Sequence, residues 1–213
     1  EEYKKLNIIK VLVTGSKGQL GKCIQKISKS YPSLEFFFAD YKMLDITQAS
    51  HVKKLFSERK FDVVINCAAY TNVERSEKEP KKAFLVNAEG VKNLAEVCKQ
   101  NDSTLIHIST DYVFDGEKET PYTEEDIPNP INEYGKSKLK GERLIQEVLS
   151  KYFIVRTSWL YSEFGHNFFK TIFKKSETED QLSVITSEIG TPTNANELAQ
   201  FILDVIKNQR QKK

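Results

Sequence analysis

The 213-residue chain has little of what would mark it for a disulfide scaffold, a metal centre or a membrane. It carries three cysteines, Cys23, Cys67 and Cys98, which cannot all pair and lack the spacing of a metal knuckle. They read as reduced core thiols of a cytoplasmic protein. The three histidines, His51, His107 and His166, are scattered, so no metal is expected. His107 falls inside an apolar run and reads as a core histidine. The net charge is only +2 and the basic residues are dispersed, which excludes a dedicated nucleic-acid surface. The basic tail Lys207 to Lys213 reads as a solvated helix end. No apolar run approaches a membrane span and no signal-peptide pattern is present. There is no internal repeat and no low-complexity linker.

Three of the nine glycines fall together, Gly15, Gly18 and Gly21. They follow an apolar run, Ile8 to Val13, within a predicted strand Ile8–Thr14, and precede an amphipathic stretch, Gln19 to Ser30. Strand, tight turn and helix start is the setting of a phosphate-binding loop, where free helix N–H groups and the positive dipole end meet a pyrophosphate. The spacing G-x-x-G-x-x-G is one residue longer in its first gap than the usual dinucleotide fingerprint.

Strands and helices then alternate. The pattern predicts strands at Leu34–Ala39, Asp62–Ala68, Thr104–Ser109 and Tyr152–Arg156. It predicts helices from Gln48 to Arg59 with Thr47 as cap, from Pro80 to Gln100 with Phe84, Val91, Leu94, Ala95 and Cys98 inward, and from Glu133 to Leu149. Alternating elements of this kind imply an α/β fold, a doubly wound parallel sheet covered on both faces. Beyond Thr157 the pattern loosens: a helix at Asn167–Lys175, a short strand at Gln181–Thr186, and a last helix at Asn196–Gln209 with Leu198, Phe201, Ile202 and Val205 inward. An apolar helix face could pair two subunits in a homodimer.

Four residues, Asp40, Thr110, Tyr134 and Lys138, carry chemistry in this frame. Asp40 ends the second predicted strand, where an acid bonds the hydroxyls of an adenosine ribose and disfavours a 2′-phosphate; Tyr41 and Lys42 beside it soften that exclusion. Tyr134 and Lys138 lie four residues apart, on one helix face. An ammonium beside a phenol would lower the phenol's pKa toward the range of proton exchange. Thr110, at a strand end, could share the bond to a reacting oxygen. Glu74, Glu77 and Glu79 read as a solvated acidic face. Asn87 either orients Lys138 through a water or packs a helix.

Gly15-x-x-Gly18-x-x-Gly21, Asn66-Cys-Ala-Ala-Tyr-Thr71, Ser109-Thr-Asp-Tyr-Val-Phe-Asp-Gly116 and Tyr134-Gly-Lys-Ser-Lys-x-x-Gly-Glu142 occur in that order. In them the chain resembles the extended short-chain dehydrogenase/reductase family over nearly its whole length. Arg156-Thr-Ser-Trp-Leu-Tyr161, Asn167-Phe168 and Gly190-Thr-Pro-Thr193 make it similar to the branch that reduces the 4-keto group of a dTDP-linked deoxysugar. The resemblance implies a Rossmann-like domain over 1–157, and over 158–213 a partial substrate lobe interleaved with a last helix of the first domain. Gly15, Gly18, Gln19, Leu20 and Gly21 would line the pyrophosphate of NADPH or NADH, and Asp40 the ribose. Asp45 and Ile46 would sit by the adenine, and Ala69, Tyr70 and Thr71 beneath the cofactor. Tyr134 would donate the proton, and Lys138 would hold the nicotinamide ribose. Thr110, Asp111 and Trp159 would meet the sugar. Family members continue past the position of Lys213 with an arginine-proline segment near the nucleotide, so the nucleotide half of the substrate site is expected to be incomplete here. Two alternatives stay open: a non-catalytic subunit resembling the regulatory subunit of methionine adenosyltransferase, and another nucleotide-sugar reductase, epimerase or dehydratase. Asp111 has the position of a dehydratase acid, but Tyr112 follows it where that chemistry has a second acid.

Overall fold

The structure, a computed structural model, describes residues 8–208. Five strands, β1 (Ile9–Thr14), β2 (Leu34–Ala39), β3 (Val63–Asn66), β4 (Thr104–Thr110) and β5 (Tyr152–Thr157), pair in parallel in the order β2-β1-β3-β4-β5. Each bond of the ladder joins runs of branched or aromatic residues that suit a sheet buried on both faces. Successive side chains of β1 point to opposite faces. Val11 and Val13 enter one core with Leu20, Ile24, Leu198 and Ile202. Leu12 enters the other with Val52, Leu94, Leu105 and Ile145. Each fully buried aliphatic side chain contributes roughly 1.5–3 kcal/mol of transfer free energy.

The first face is covered by α1 (Gln19–Ile27) and α8 (Ala195–Asn208), the second by α2 (Ala49–Glu58), α5 (Gly90–Gln100) and α6 (Glu133–Val148). The last described helix therefore returns to pack beside the first. Strand order reverses between β1 and β3, so a crevice opens at their carboxyl ends, where ligands of such sheets bind.

Several local expectations are corrected. The predicted strand at Gln181–Thr186 is absent; those residues are mostly exposed and have no neighbouring strand to pair with. The second, two-stranded sheet is instead β6 (Leu160–Tyr161) with β7 (Thr193–Asn194). Thr47 does not cap α2. Its N–H and hydroxyl both donate to Asp45, and Gln48 occupies the cap without a side-chain bond. A short α3 (Val73–Lys78), capped by Asn72, was not anticipated. The long helix from Pro80 is broken into α4 (Pro80–Phe84), a π-helical turn (Leu85–Glu89) and α5. On α8 the inward face is Ala195, Leu198, Ala199, Ile202, Leu203 and Ile206, and Phe201 is turned out. The helix α7 (Phe168–Ser176) buries none of its residues. The end of the predicted last helix at Gln209 and the rest of the basic tail lie outside the described residues.

Candidate active site

Gly15 leaves β1 with φ +60°, a left-handed conformation that favours glycine, and a Cβ there would lie 2.6 Å from the backbone nitrogen of Ala68. The loops after β1 and β3 thus touch across the crevice. A Cβ on Gly21 would lie 2.6 Å from Cα of Ser16, so this glycine lets α1 fold directly onto the loop. The cap residue of α1, Gly18, offers no side-chain bond to the helix's first turn. This is a cradle of backbone at a helix N-terminus, of the form a pyrophosphate needs.

The other residues expected around a cofactor are placed unevenly. Asp40 ends β2 largely buried, accepts from the N–H of Met43 at 3.0 Å and pairs with the Lys17 ammonium, which holds its carboxyl below the usual range. Leu20 and Ile46 are buried with their side chains in the two cores, so only their main chains could meet a ligand. Asp45 is occupied with Thr47. The Gln19 side chain is taken up by the segment after β5: its Nε2 donates to the Leu160 carbonyl, and its Oε1 accepts from Ser162 and Asn167. It ties the segment after β5 to the glycine loop.

Ala69, Tyr70 and Thr71 pass at the mouth of β3, and Asn87 holds them there. Its Oδ1 accepts from Tyr70 N–H at 2.8 Å, while its Nδ2 donates to the Tyr70 carbonyl at 2.9 Å and to Ser137 Oγ at 3.0 Å. Asn87 sits in the π-helical turn, a feature frequent at functional sites. Its part is therefore to clamp the 67–71 loop to α6. The acidic residues nearby are less free than expected. Glu79 accepts from the Tyr70 hydroxyl, and Glu77 accepts from Glu133 N–H at the start of α6.

Helix α6 starts at Asn132, whose Oδ1 accepts from Gly135 N–H at 2.7 Å. It carries Tyr134 and Lys138, 8% and 2% exposed. Tyr134 packs edge-on against Tyr112, with Thr110 beside its phenol. One expectation is overturned here. The phenol is not lowered: burial pushes it up to about 12, with the nearby Thr110 opposing this. The Lys138 ammonium donates to the Ile108 carbonyl at 2.6 Å, and burial brings it down to about 8. Desolvation outweighs the neighbouring charge. Thr110 bridges toward Asp111, donating to its carboxylate at 3.0 Å, and partial burial raises that carboxyl.

Trp159, 39% exposed, follows β5 at φ +46°. Its carbonyl accepts from Thr193 N–H, and Gly190 lies so close to its indole that a Cβ would be 2.6 Å away. The two strings Arg156–Tyr161 and Gly190–Thr193 thus meet in space.

Sequence reasoning missed a buried polar layer beneath these residues. Thr14, Asn66 and His107 are register partners on β1, β3 and β4. Thr14 Oγ1 donates to Asn66 Oδ1 at 2.6 Å, and Asn66 Nδ2 lies 3.0 Å from His107 Nδ1. His107 is fully buried, and its Nε2 has no partner among the described residues. Burial and the Lys138 charge hold its pKa well below 6.5. The unfolded chain takes up this proton near 6.5 while the folded chain does not, so stability falls as pH drops below that value, by up to about 1.4 kcal/mol per unit. Melting curves from pH 8 to 5 should show this slope, and His107→Gln should flatten it between pH 6.5 and 5. An equal slope in the variant would remove His107 from the account.

No helix among the described residues is long and apolar enough to cross a membrane, and no group of three or more potential metal-binding side chains occurs among them. Residues 9–213 match the model of the RmlD substrate binding domain. The chain is 40% identical over 196 residues to a dTDP-4-dehydrorhamnose reductase of Aggregatibacter actinomycetemcomitans, covering 92% of this chain and 67% of that protein. It superposes with a TM-score of 0.91 on a solved dTDP-4-dehydrorhamnose reductase from Clostridium acetobutylicum, at 45% identity over 95% of this chain and 71% of that one. The TM-score is also 0.91 for the Bacillus anthracis enzyme solved in complex with NADP, at 40% identity over 94% of this chain and 71% of that one. A family model that matches residues 9–213, together with these dTDP-4-dehydrorhamnose reductases at 40–45% identity, places the chain: it belongs to the RmlD family of dTDP-4-dehydrorhamnose reductases, within the extended short-chain dehydrogenase/reductases.

Proposed function

We propose that this chain reduces the 4-keto group of dTDP-4-dehydro-L-rhamnose to dTDP-L-rhamnose with NADPH or NADH, a step toward surface polysaccharide. The observation that carries this is the convergence of Thr110, Tyr134 and Lys138 at the carboxyl end of β4, beside the glycine cradle. The name carried by several relatives supports the substrate, and the NADP complex of a relative supports the cofactor. Likeness to epimerase structures, at 19% and 21% identity, supports the fold alone. Three free cysteines fit a cytoplasmic place.

When bound, the reduced nicotinamide supplies a hydride to C4 of the sugar. The chain's residues do the rest. Tyr134 is protonated at neutral pH and gives its proton to the C4 oxygen as negative charge develops there. Thr110, turning its hydroxyl proton from Asp111, donates a second hydrogen bond to that oxygen. Lys138, as a cation, stabilises the phenolate left behind and holds the nicotinamide ribose. Solvent returns the proton to Tyr134. Asn87 keeps the 67–71 loop under the cofactor, and Trp159 packs on the sugar.

The assay is loss of NADPH absorbance on adding dTDP-4-dehydro-L-rhamnose. Consumption that depends on the sugar supports the reading. Cofactor binding with no consumption would turn it toward a regulatory subunit. The Lys17–Asp40 pair makes a separate prediction. Asp40 repels a 2′-phosphate and Lys17 attracts it, so both cofactors bind. Asp40→Ala should improve the Kd ratio in favour of NADPH about tenfold, and Lys17→Gln should move it the other way, each change being about 1.4 kcal/mol. Titration by nucleotide fluorescence reads both, and unchanged ratios would remove this pair from the ribose site.

A further inference from the structure

A carboxylate, Glu142, lies one turn beyond Lys138 on α6 and is 1% exposed. It accepts from Ser109 Oγ at 2.5 Å, and from Arg156 Nε at 3.0 Å and Nη2 at 2.6 Å. Ser109 and Arg156 are direct register partners on β4 and β5. A single buried side chain therefore joins the helix to both strands of one cross-strand pair. Lys138 joins the same helix to the same β4 through the Ile108 carbonyl. The Arg156 guanidinium rests over the Phe114 ring, which stacks on Tyr122. A buried carboxylate needs such partners, and losing one would leave a costly unpaired charge.

We propose that Glu142 is a positioning residue for the reductive site: it fixes the height of α6 against β4 and β5, and its charge keeps Lys138 a cation. This rests on the reductase reading above. The charged and titratable groups that act on Lys138 are few: Glu142 on α6, His107 on β4 and Cys67 just after β3, while from β5 Arg156 acts through Glu142. Glu142 is the formally charged acid among them, and it opposes the downward push of burial on the ammonium. One helical turn separates the two side chains, a rise of about 6 Å, within the range of strong coupling in a buried setting. Arg156 has the opposite effect, since its cation offsets the carboxylate.

The charges make predictions of opposite sign that a merely structural role would not. Lysine labelled with 13C at Cε reports each ammonium's titration by NMR, and the Lys138 signal is identified by its loss in Lys138→Arg. In Glu142→Gln the Lys138 titration should move down by about one pH unit, a tenfold change in its acid constant. In Arg156→Gln it should move up, and in the double variant it should return toward the parent. The alkaline limb of the reduction rate should follow in the same directions. Unmoved titrations, or shifts of the same sign in both variants, would overturn the proposal. If Glu142→Gln fails to fold, Arg156→Gln decides alone, because its side chain is partly exposed and only an upward shift fits. Titrations that move as expected in a chain that never turns over would leave the charge coupling standing and sink the reductase reading instead.

Discussion

Tyr134→Phe should lower turnover by about 10²–10⁴-fold while cofactor affinity stays within a factor of about two. The ring is kept, and with it the edge-on packing against Tyr112 at 5.6 Å between centroids. The helix start is also untouched, since Asn132 caps through Gly135 and the Ser137 hydroxyl bonds the Tyr134 carbonyl. Only the phenolic hydroxyl is removed. Because burial pushes the phenol up to about 12, Tyr134 holds its proton across the neutral range and is a donor rather than a base. The charge that must appear on it during reaction is supported by Lys138, itself brought down to about 8. The sign for alkaline pH follows: Lys138 loses its charge as pH rises through about 8, and turnover falls with it. Steady-state rates from pH 6 to 10 measure both effects. A Phe variant within a few-fold of the parent would make a bound water the donor instead.

Gly141→Ala should cost about 3 kcal/mol or more, a large fraction of the stability of a domain. A Cβ at this position would lie 2.1 Å from the Asn87 carbonyl oxygen, which is backbone and cannot turn aside. The close approach of α6 to the π-helical turn is what brings Asn87 Nδ2 to Ser137 and its Oδ1 to Tyr70. Moving α6 outward to admit a methyl group would thus break the clamp on the 67–71 loop as well as the packing of Val91. Gly135→Ala should behave alike, its Cβ falling 2.1 Å from the Tyr112 carbonyl oxygen. Denaturant titration followed by far-ultraviolet circular dichroism reads the loss. A midpoint unchanged in Gly141→Ala would mean that α6 sits further from the turn than described.

The parts of this molecule legible in the sequence are those where one short segment decides the outcome. Ile9–Thr14, the glycine turn and α1 form a local unit, and each strand of the main sheet announces itself by a run of branched or aromatic residues. What was misread depends on partners far along the chain. Leu182, Val184 and Ile185 look like a strand, but strand propensity is largely packing against neighbours, and none is there. Phe201 has the hydrophobicity of a core residue, yet the helix phase is set by Leu198, Ile202 and Ile206 against α1 and the sheet. The π-helical turn leaves the apolar spacing of α5 intact, so periodicity passes over it. At the site, the four-residue spacing of Tyr134 and Lys138 was readable. The direction of the ammonium toward Ile108, and burial as the first cause of both shifts, were not. The union of Glu142 with Ser109 and Arg156 was also hidden, although an arginine inside a predicted sheet strand and an acid one turn past Lys138 were signals available for it.

The account turns on hydride arriving at C4 of the sugar beside Tyr134, and isotope transfer tests this most directly. The parent chain is incubated with dTDP-4-dehydro-L-rhamnose and NADPH carrying deuterium on both hydrogens of its nicotinamide C4. The product is then read by mass spectrometry and proton NMR. The prediction is dTDP-L-rhamnose with one deuterium, bound to the sugar C4, and a hydroxyl proton drawn from solvent. Bound cofactor with no labelled product, or label at any other carbon, would contradict it.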